Sequence, residues 1–257
     1  MQQATVRTIY EYINSIAPFD TQEEGDNSGL LVGSMAQEVD SVLLALDVTP
    51  QVLEEAQALN AQLIVSHHPL MFAPVQSLLE DEYEGALLSR LIREGRAFIS
   101  AHTNADQSEV SGTLAMAHLL GLQNLRREGP YVWAGELPQD MPVKDLCSLV
   151  VDTLGGTPVA HGPAYHRVHT LAMVGGSYSE GYREAALLGA QALLTGEVRH
   201  HHALQARAQG MVLISAGHAE TELPMLPPLA RGLQAHLNQL QYKVAVYVST
   251  LHPYGLK

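Results

Sequence analysis

Cysteine is almost missing from this 257-residue chain: Cys147 stands alone, so no internal disulfide can form, which agrees with a reducing cytoplasm. No apolar run approaches the roughly 20 residues that a membrane-spanning helix needs. The opening MQQATVRTIYEYI has Arg7 but no basic cluster followed by an apolar stretch, so no secretory signal is expected. Basic residues are scarce as well, 14 Lys and Arg against 27 Asp and Glu, giving a formal net charge of −13. A surface this acidic repels phosphate backbones, and no Lys/Arg stripe offsets it, which argues against duplex nucleic acid as a ligand. Low-complexity segments and a Gly-rich phosphate loop are also missing, since Gly175-Gly176 alone is a weak signal.

What is present is a globular chain. Hydrophobic residues make up 46% and charged residues 16%, which excludes disorder, and the length suits one large core or two modest ones. Val6 to Ile16 carries apolar residues at helical spacing, with Pro18 just beyond. Asp20 to Gly33 reads as a turn entering a short strand at Leu30–Val32. Ser41 to Asp47 is a buried strand, Thr49 and Pro50 fit the N-cap and first position of a helix to about Asn60, and Leu63–Val65 is the next strand. That is a βαβ unit, and it implies parallel strands.

A helix over Leu87–Gly95, a strand over Ala97–Ala101 and a helix over Ser111–Leu120 with Gly121 at its end follow. The Gly- and Pro-rich stretch Gly129–Pro142 is the predicted boundary between lobes 1–128 and 129–257. Beyond it, helices are expected at Val143–Thr153, Glu180–Leu188, Val198–Gln209 and Pro228–Leu240, alternating with strands at Thr170–Val174, Gln191–Leu194, Met211–Ala216 and Tyr242–Ser249. The alternation predicts an α/β fold with mostly parallel sheets, the last helix and strand being candidates to return to the first lobe.

Three strands stop and are followed at once by metal-ligand residue types. QLIVSHHPLM, Gln62 to Met71, delivers His67 and His68; AFISAHTNAD delivers His102 and Asp106; LISAGHAETE delivers His218 and Glu222. Pro69 keeps His68 extended, so the two neighbouring rings leave the strand end in different directions. Such a pair grips one small ion poorly, but can serve two ions about 3.5–4 Å apart. Parallel sheets bind ligands at the carboxyl ends of their strands, so three such ends can converge on one crevice. Imidazole and carboxylate donors without thiolate suit Zn, Fe, Mn, Co or Ni. Taken singly, each motif also has a plain reading: Asp106 fits a helix N-cap, and His218 with Glu222 fits a cap and a solvated face. His200 to His202 are expected to be mostly solvent-facing helix residues.

DNSGLLVG, SHHPLMF, HTNAD, LTGEVRHHHAL and AGHAETE, in this order over nearly the full length, resemble the Nif-three-like family of dinuclear-metal proteins, often called GTP cyclohydrolase I type 2 homologues. The resemblance implies two interlinked α/β lobes with two divalent metal ions per chain in the cleft between them, assembled as a homohexamer. It implies His67, His68, Asp106, His218 and Glu222 as ligands, with His102 beside the metals as an extra ligand or a group behind them. On that footing Glu222 bridges the ions, His67 and Asp106 hold one, His68 and His218 hold the other, and His102 or Glu197 moves protons. The expected activity is metal-dependent hydrolysis of a nucleotide or related small molecule. The alternative is a non-catalytic scaffold or regulatory protein whose metals hold two lobes together.

Overall fold

The computed structural model describes residues 3–255; the first two residues of the first predicted lobe and the last two of the second lie outside the described residues. The chain opens with α1 (Val6–Ile16), β1 (Gly29–Val32), β2 (Ser41–Ala45), α2 (Pro50–Ala58), β3 (Leu63–Ser66), α3 (Tyr83–Arg93), β4 (Ala97–Ser100) and the short α4 (Thr103–Asp106). Next come α5 (Gly112–Leu119), β5 (Gln123–Glu128), β6 (Val132–Pro142), α6 (Val143–Leu154), β7 (Val159–His161), β8 (Arg167–Met173), α7 (Tyr182–Leu187), β9 (Ala192–Thr195), α8 (His200–Ala208), β10 (Val212–Ser215) and α9 (His218–Glu222). The chain closes with α10 (Leu226–Gln239) and β11 (Ala245–Val248). No helix among the described residues is long and apolar enough to cross a membrane.

Two compact units result, one from Met1–Val110 with Leu226–Lys257, the other from Ser111–Met225. This corrects the predicted division after residue 128. The boundary falls at Ser111 because α5 belongs to the second core, where Met116, Ala117 and Leu120 join Val143, Leu146 and Leu171. The final helix and strand return to the first unit, where β11 pairs in parallel with β2 through Ala245↔Ser41 to Val248↔Leu44.

In the first unit the strand order is β1-β4-β3-β2-β11. β2, β3 and β4 are buried at every position, as parallel strands covered on both faces must be, and β1 runs antiparallel at the edge. Thr49 caps α2 by accepting from the Val52 amide at 3.2 Å, with Pro50 in the first turn, so the βαβ unit forms as the sequence reads.

The second unit's sheet has the order β5-β6-β8-β9-β10-β7 and is mixed. Only β8–β9 and β9–β10 are parallel, whereas β5–β6, β6–β8 and β7–β10 are antiparallel, so the expectation of mostly parallel strands fails here. The reason lies in Gly129–Pro142. It is not a linker: Gly129 at φ +62 turns a hairpin, and Val132, Ala134, Gly135 and Leu137 are buried along β6. Pro130 lies in the hairpin turn, Pro138 falls at the sheet's irregular stretch, where the register with β8 shifts between Glu136 and Met141, and Pro142 ends the strand. The proline-rich ELPMLPP is accommodated by a 3-10 turn, Leu223–Met225, and Pro227 and Pro228 then occupy the first turn of α10.

Candidate metal centre

In the first unit, ligand-type side chains gather at the carboxyl ends of β4 and β3. The ladder with β2 continues past β3, through amides of His67 to Ala45 O (3.2 Å) and His68 to Leu46 O (3.0 Å), so the backbone carrying both rings is fixed. The rings diverge by 49° with centroids 4.9 Å apart, as the Pro69 argument expects. His102 enters from the end of β4, with its ring 5.1 Å from that of His67 and 5.6 Å from that of His68. One ring nitrogen from each of the three lies within 4.8 Å of the others. Asp106, one turn further along α4, places Oδ1 3.6 Å from His67 Nε2. Asn104 secures that turn, donating to Ala17 O at 2.7 Å.

The groups behind these rings decide their chemistry. His67 Nδ1 lies 2.9 Å from Ala101 O, His68 Nδ1 lies 2.8 Å from Asp47 Oδ1, and His102 Nδ1 lies 2.8 Å from Asp26 Oδ1. A carbonyl or an ionised carboxylate has no proton to give, so each Nδ1 carries the hydrogen and donates it. The lone pair is then on Nε2, the tautomer in which protein histidines meet metals. Asp26 is itself built in. Burial pushes its carboxyl upward, but the hydrogen bonds it accepts from His102, from Thr103 and from the Asn27 amide outweigh burial and hold it well below the usual carboxylate range. Asn27 donates to Met71 O at 2.7 Å, tying the DNSG loop to the segment that follows SHHP.

The second unit repeats the device. Gly217, at φ +100, turns the chain out of β10 so that α9 starts with His218, and Glu222 comes one turn later. His218 Nδ1 donates to Glu197 Oε1 at 2.8 Å, and its Nε2 lies 3.2 Å from Glu222 Oε2. Glu222 is only 4% exposed. Glycines make the room for it. A Cβ on Gly176, at φ +64, would overlap Glu222 Oε1 and sit 3.4 Å from His218 Nε2; a Cβ on Gly196 would sit 2.8 Å from the His218 Cα; a Cβ on Gly112 would sit 3.2 Å from the Glu222 Cα. Thr221 locks the turn, accepting from the Gly176 amide at 3.1 Å.

Within the first unit, His67, His68, His102 and Asp106 therefore come together, and within the second His218 and Glu222 do. Both sets fit a hard or borderline divalent cation: imidazole nitrogens with fixed tautomers, carboxylates in reach, and no thiolate. Three participants escaped the sequence reading in their actual roles: Asp47, Asp26 and, as an anchor for His218, Glu197. Asp47 had a signal, since it ends the β2 run as His67 and His102 end theirs. RHHH divides: His200 and His201 are exposed, whereas His202 is buried against Ser179 Oγ at 2.8 Å. Burial, with the neighbouring charges of His201, Arg199 and Arg183, holds the His202 imidazole below its ordinary pKa despite the opposing pull of Glu180.

The chain is similar in sequence and in fold to known proteins. A Helicobacter pylori (strain J99) protein named GTP cyclohydrolase 1 type 2 is 34% identical over 222 residues, covering 85% of this chain and 87% of that one. A Clostridium acetobutylicum protein named GTP cyclohydrolase 1 type 2 homolog is 27% identical over 98% of both chains. The crystal structure of a Bacillus cereus protein related to NIF3 superposes with a TM-score of 0.93 over 98% of each chain at 21% identity, which establishes the shared mixed α/β fold. The family model Duf34/NIF3 (NGG1p interacting factor 3) matches residues 4–254. This chain belongs to the Duf34/NIF3 family.

Proposed function

We propose that this protein is a divalent-metal-dependent hydrolase whose two ligand sets join into one dinuclear centre between the units. His67 and Asp106 would hold one ion and His68 and His218 the other, with Glu222 shared between them. The observation that carries this reading is the shared anchoring: His67, His68, His102 and His218 all have Nδ1 committed to a carbonyl or carboxylate at 2.8–2.9 Å. The exposed His169 shares the arrangement with Asp140 at 2.8 Å, so the anchoring counts because these four rings also stand beside other ligand-type groups, and metal ligands need it to fix ring orientation and basicity.

A bound metal would supply an acidified water, with a pKa near about 7 in the best cases, and would polarise a carbonyl or phosphoryl oxygen, making the attached carbon or phosphorus more electrophilic. The protein's own residues do the rest. Glu222, buried in its glycine-lined seat, brings a negative charge where two cations would otherwise repel. His102 Nε2 is the proton carrier, oriented by Asp26 through Nδ1, and this separates it from Glu197, whose Oε1 is occupied in orienting His218. The names of the relatives make purine nucleotides the first substrates to test, and the same reading includes a cytoplasmic homohexamer, which native mass spectrometry would record as six chains.

The test is elemental analysis of protein prepared without chelator. Close to two transition-metal ions per chain are expected, falling in His68→Ala and Glu222→Ala, with nucleotide turnover restored by Mn, Fe or Zn. A folded protein without metal, or a fully metallated one inert towards a broad nucleotide and phosphoester panel, would refute the metal or the hydrolase part respectively.

A further inference from the structure

A cavity of about 650 Å³ lies beside the metal-ligand cluster in the first unit and takes no part in the account above. It opens at the carboxyl ends of β2 and β11, between the start of α2 and the segment that follows β11. This is the end of a parallel sheet at which ligands bind, and the volume is that of a small-molecule site. Its wall is held in place: the Ser249 amide donates to Leu44 O at 2.8 Å, Ser249 Oγ to Glu55 Oε2 at 2.6 Å, and the Leu251 amide to Ser249 Oγ at 3.3 Å.

Two features specify what would fit. Asp47 lines the cavity and also receives His68 Nδ1–H, so one carboxylate is shared between the cavity and the ligand cluster. Because β3 and β11 flank β2, the cavity begins about one strand spacing, roughly 5 Å, from the strand end that carries His67 and His68. A nucleoside spans that distance. The lining is the second feature. Among the described residues it contains no lysine or arginine and one imidazole, His252, so no fixed cation is there to receive a phosphate or carboxylate, and Asp47 would repel one. Thr49, Gln51 and Thr250 offer neutral donors and acceptors, and Tyr254 with Pro253 offers flat apolar surface for a ring.

We propose that this cavity is a substrate subsite for an uncharged nitrogen heterocycle with N–H donors, such as the base of a nucleoside, whose remote edge it holds while the reacting atom lies at the metal ligands. This rests on the hydrolase reading and adds to it the location and the charge class of the substrate's non-reacting end. Any anionic tail lies outside the cavity.

The test uses the full chain, metal-loaded and chelator-treated in parallel, titrated calorimetrically with guanosine and with ribose 5-phosphate. Variants Thr250→Trp and Gln51→Ala change exposed positions that line the cavity and touch none of the metal-ligand candidates. Saturable guanosine binding is expected, weakened about tenfold or more by Thr250→Trp, with ribose 5-phosphate unaffected by either change and metal content equal to wild type. Guanosine affinity within about twofold of wild type in both variants, or no guanosine binding by protein carrying its full metal, overturns the subsite. Protein that carries no metal when prepared without chelator, yet binds guanosine and loses it in Thr250→Trp, overturns the dinuclear reading and leaves the subsite standing.

Discussion

Gly176→Ala is the substitution whose outcome follows most directly from the packing. Gly176 has φ +64, a region where an L side chain is disfavoured by about 1–2 kcal/mol. Its new Cβ would overlap the Glu222 carboxylate, while meeting His218 Nε2 at 3.4 Å, an ordinary contact. The overlapped atom is the far end of a side chain, so it is the carboxylate that yields, and the fold survives. A shift on the order of 1 Å in a ligating or catalytic group typically weakens function about a hundredfold, and lesser disturbances around a metal weaken its binding about 10- to 100-fold. The expected result is a chain that melts a few degrees lower and binds Zn or Mn about 10- to 100-fold more weakly in competition with a chromophoric chelator. Gly175→Ala is the matched control: its Cβ meets Glu222 Cγ at 3.4 Å, an ordinary contact, and its φ lies outside the strained region. Metal affinity unchanged in Gly176→Ala, or equally reduced in Gly175→Ala, would show that the glycine seat does not position Glu222.

Two further outcomes follow. Asp47→Ala removes the acceptor for His68 Nδ1 and should lower metal affinity about 10- to 100-fold, whereas Asp47→Asn, whose amide oxygen can still accept, should lower it less; competition titrations distinguish the two. Asp26 has its folded-state pKa depressed, so its contribution to stability is fully present above the unfolded carboxylate pKa of about 3.9 and is lost as pH falls towards the folded value. Asp26→Asn should therefore destabilise chelated protein by about 1.5–3 kcal/mol at pH 7, with the gap from wild type narrowing below about pH 4 in urea titrations. A gap independent of pH would assign Asp26 a packing role alone.

Much of the fold was legible where a strand is short, β-branched and buried on both faces. The LIVS, AFIS and VLIS runs are such strands, and each ends at its ligand residues, so motif and position could be read together. The hairpin of β5 and β6 was not legible, because QNLRRE has largely exposed side chains and becomes a strand only by pairing with β6. Gly129 and the prolines of β6 gave a linker signal for the same stretch. The anchors were hidden for a different reason. Asp26 and His102 are 76 residues apart, and Asp47 and His68 are 21 apart, so local pattern cannot pair them. Gly176 reads as a weak turn residue until Glu222 is seen beside it.

On the proposed reading, four oriented imidazoles and two carboxylates surround a pair of cations. X-ray data collected above and below the absorption edges of Mn, Fe and Zn from unchelated crystals test it most directly. Two anomalous peaks per chain are expected, about 3.5–4 Å apart, bound through Nε2 of His67, His68 and His218 and bridged by Glu222. Anomalous maps without a peak at these nitrogens, or a single ion that leaves Glu222 uncoordinated, would contradict it.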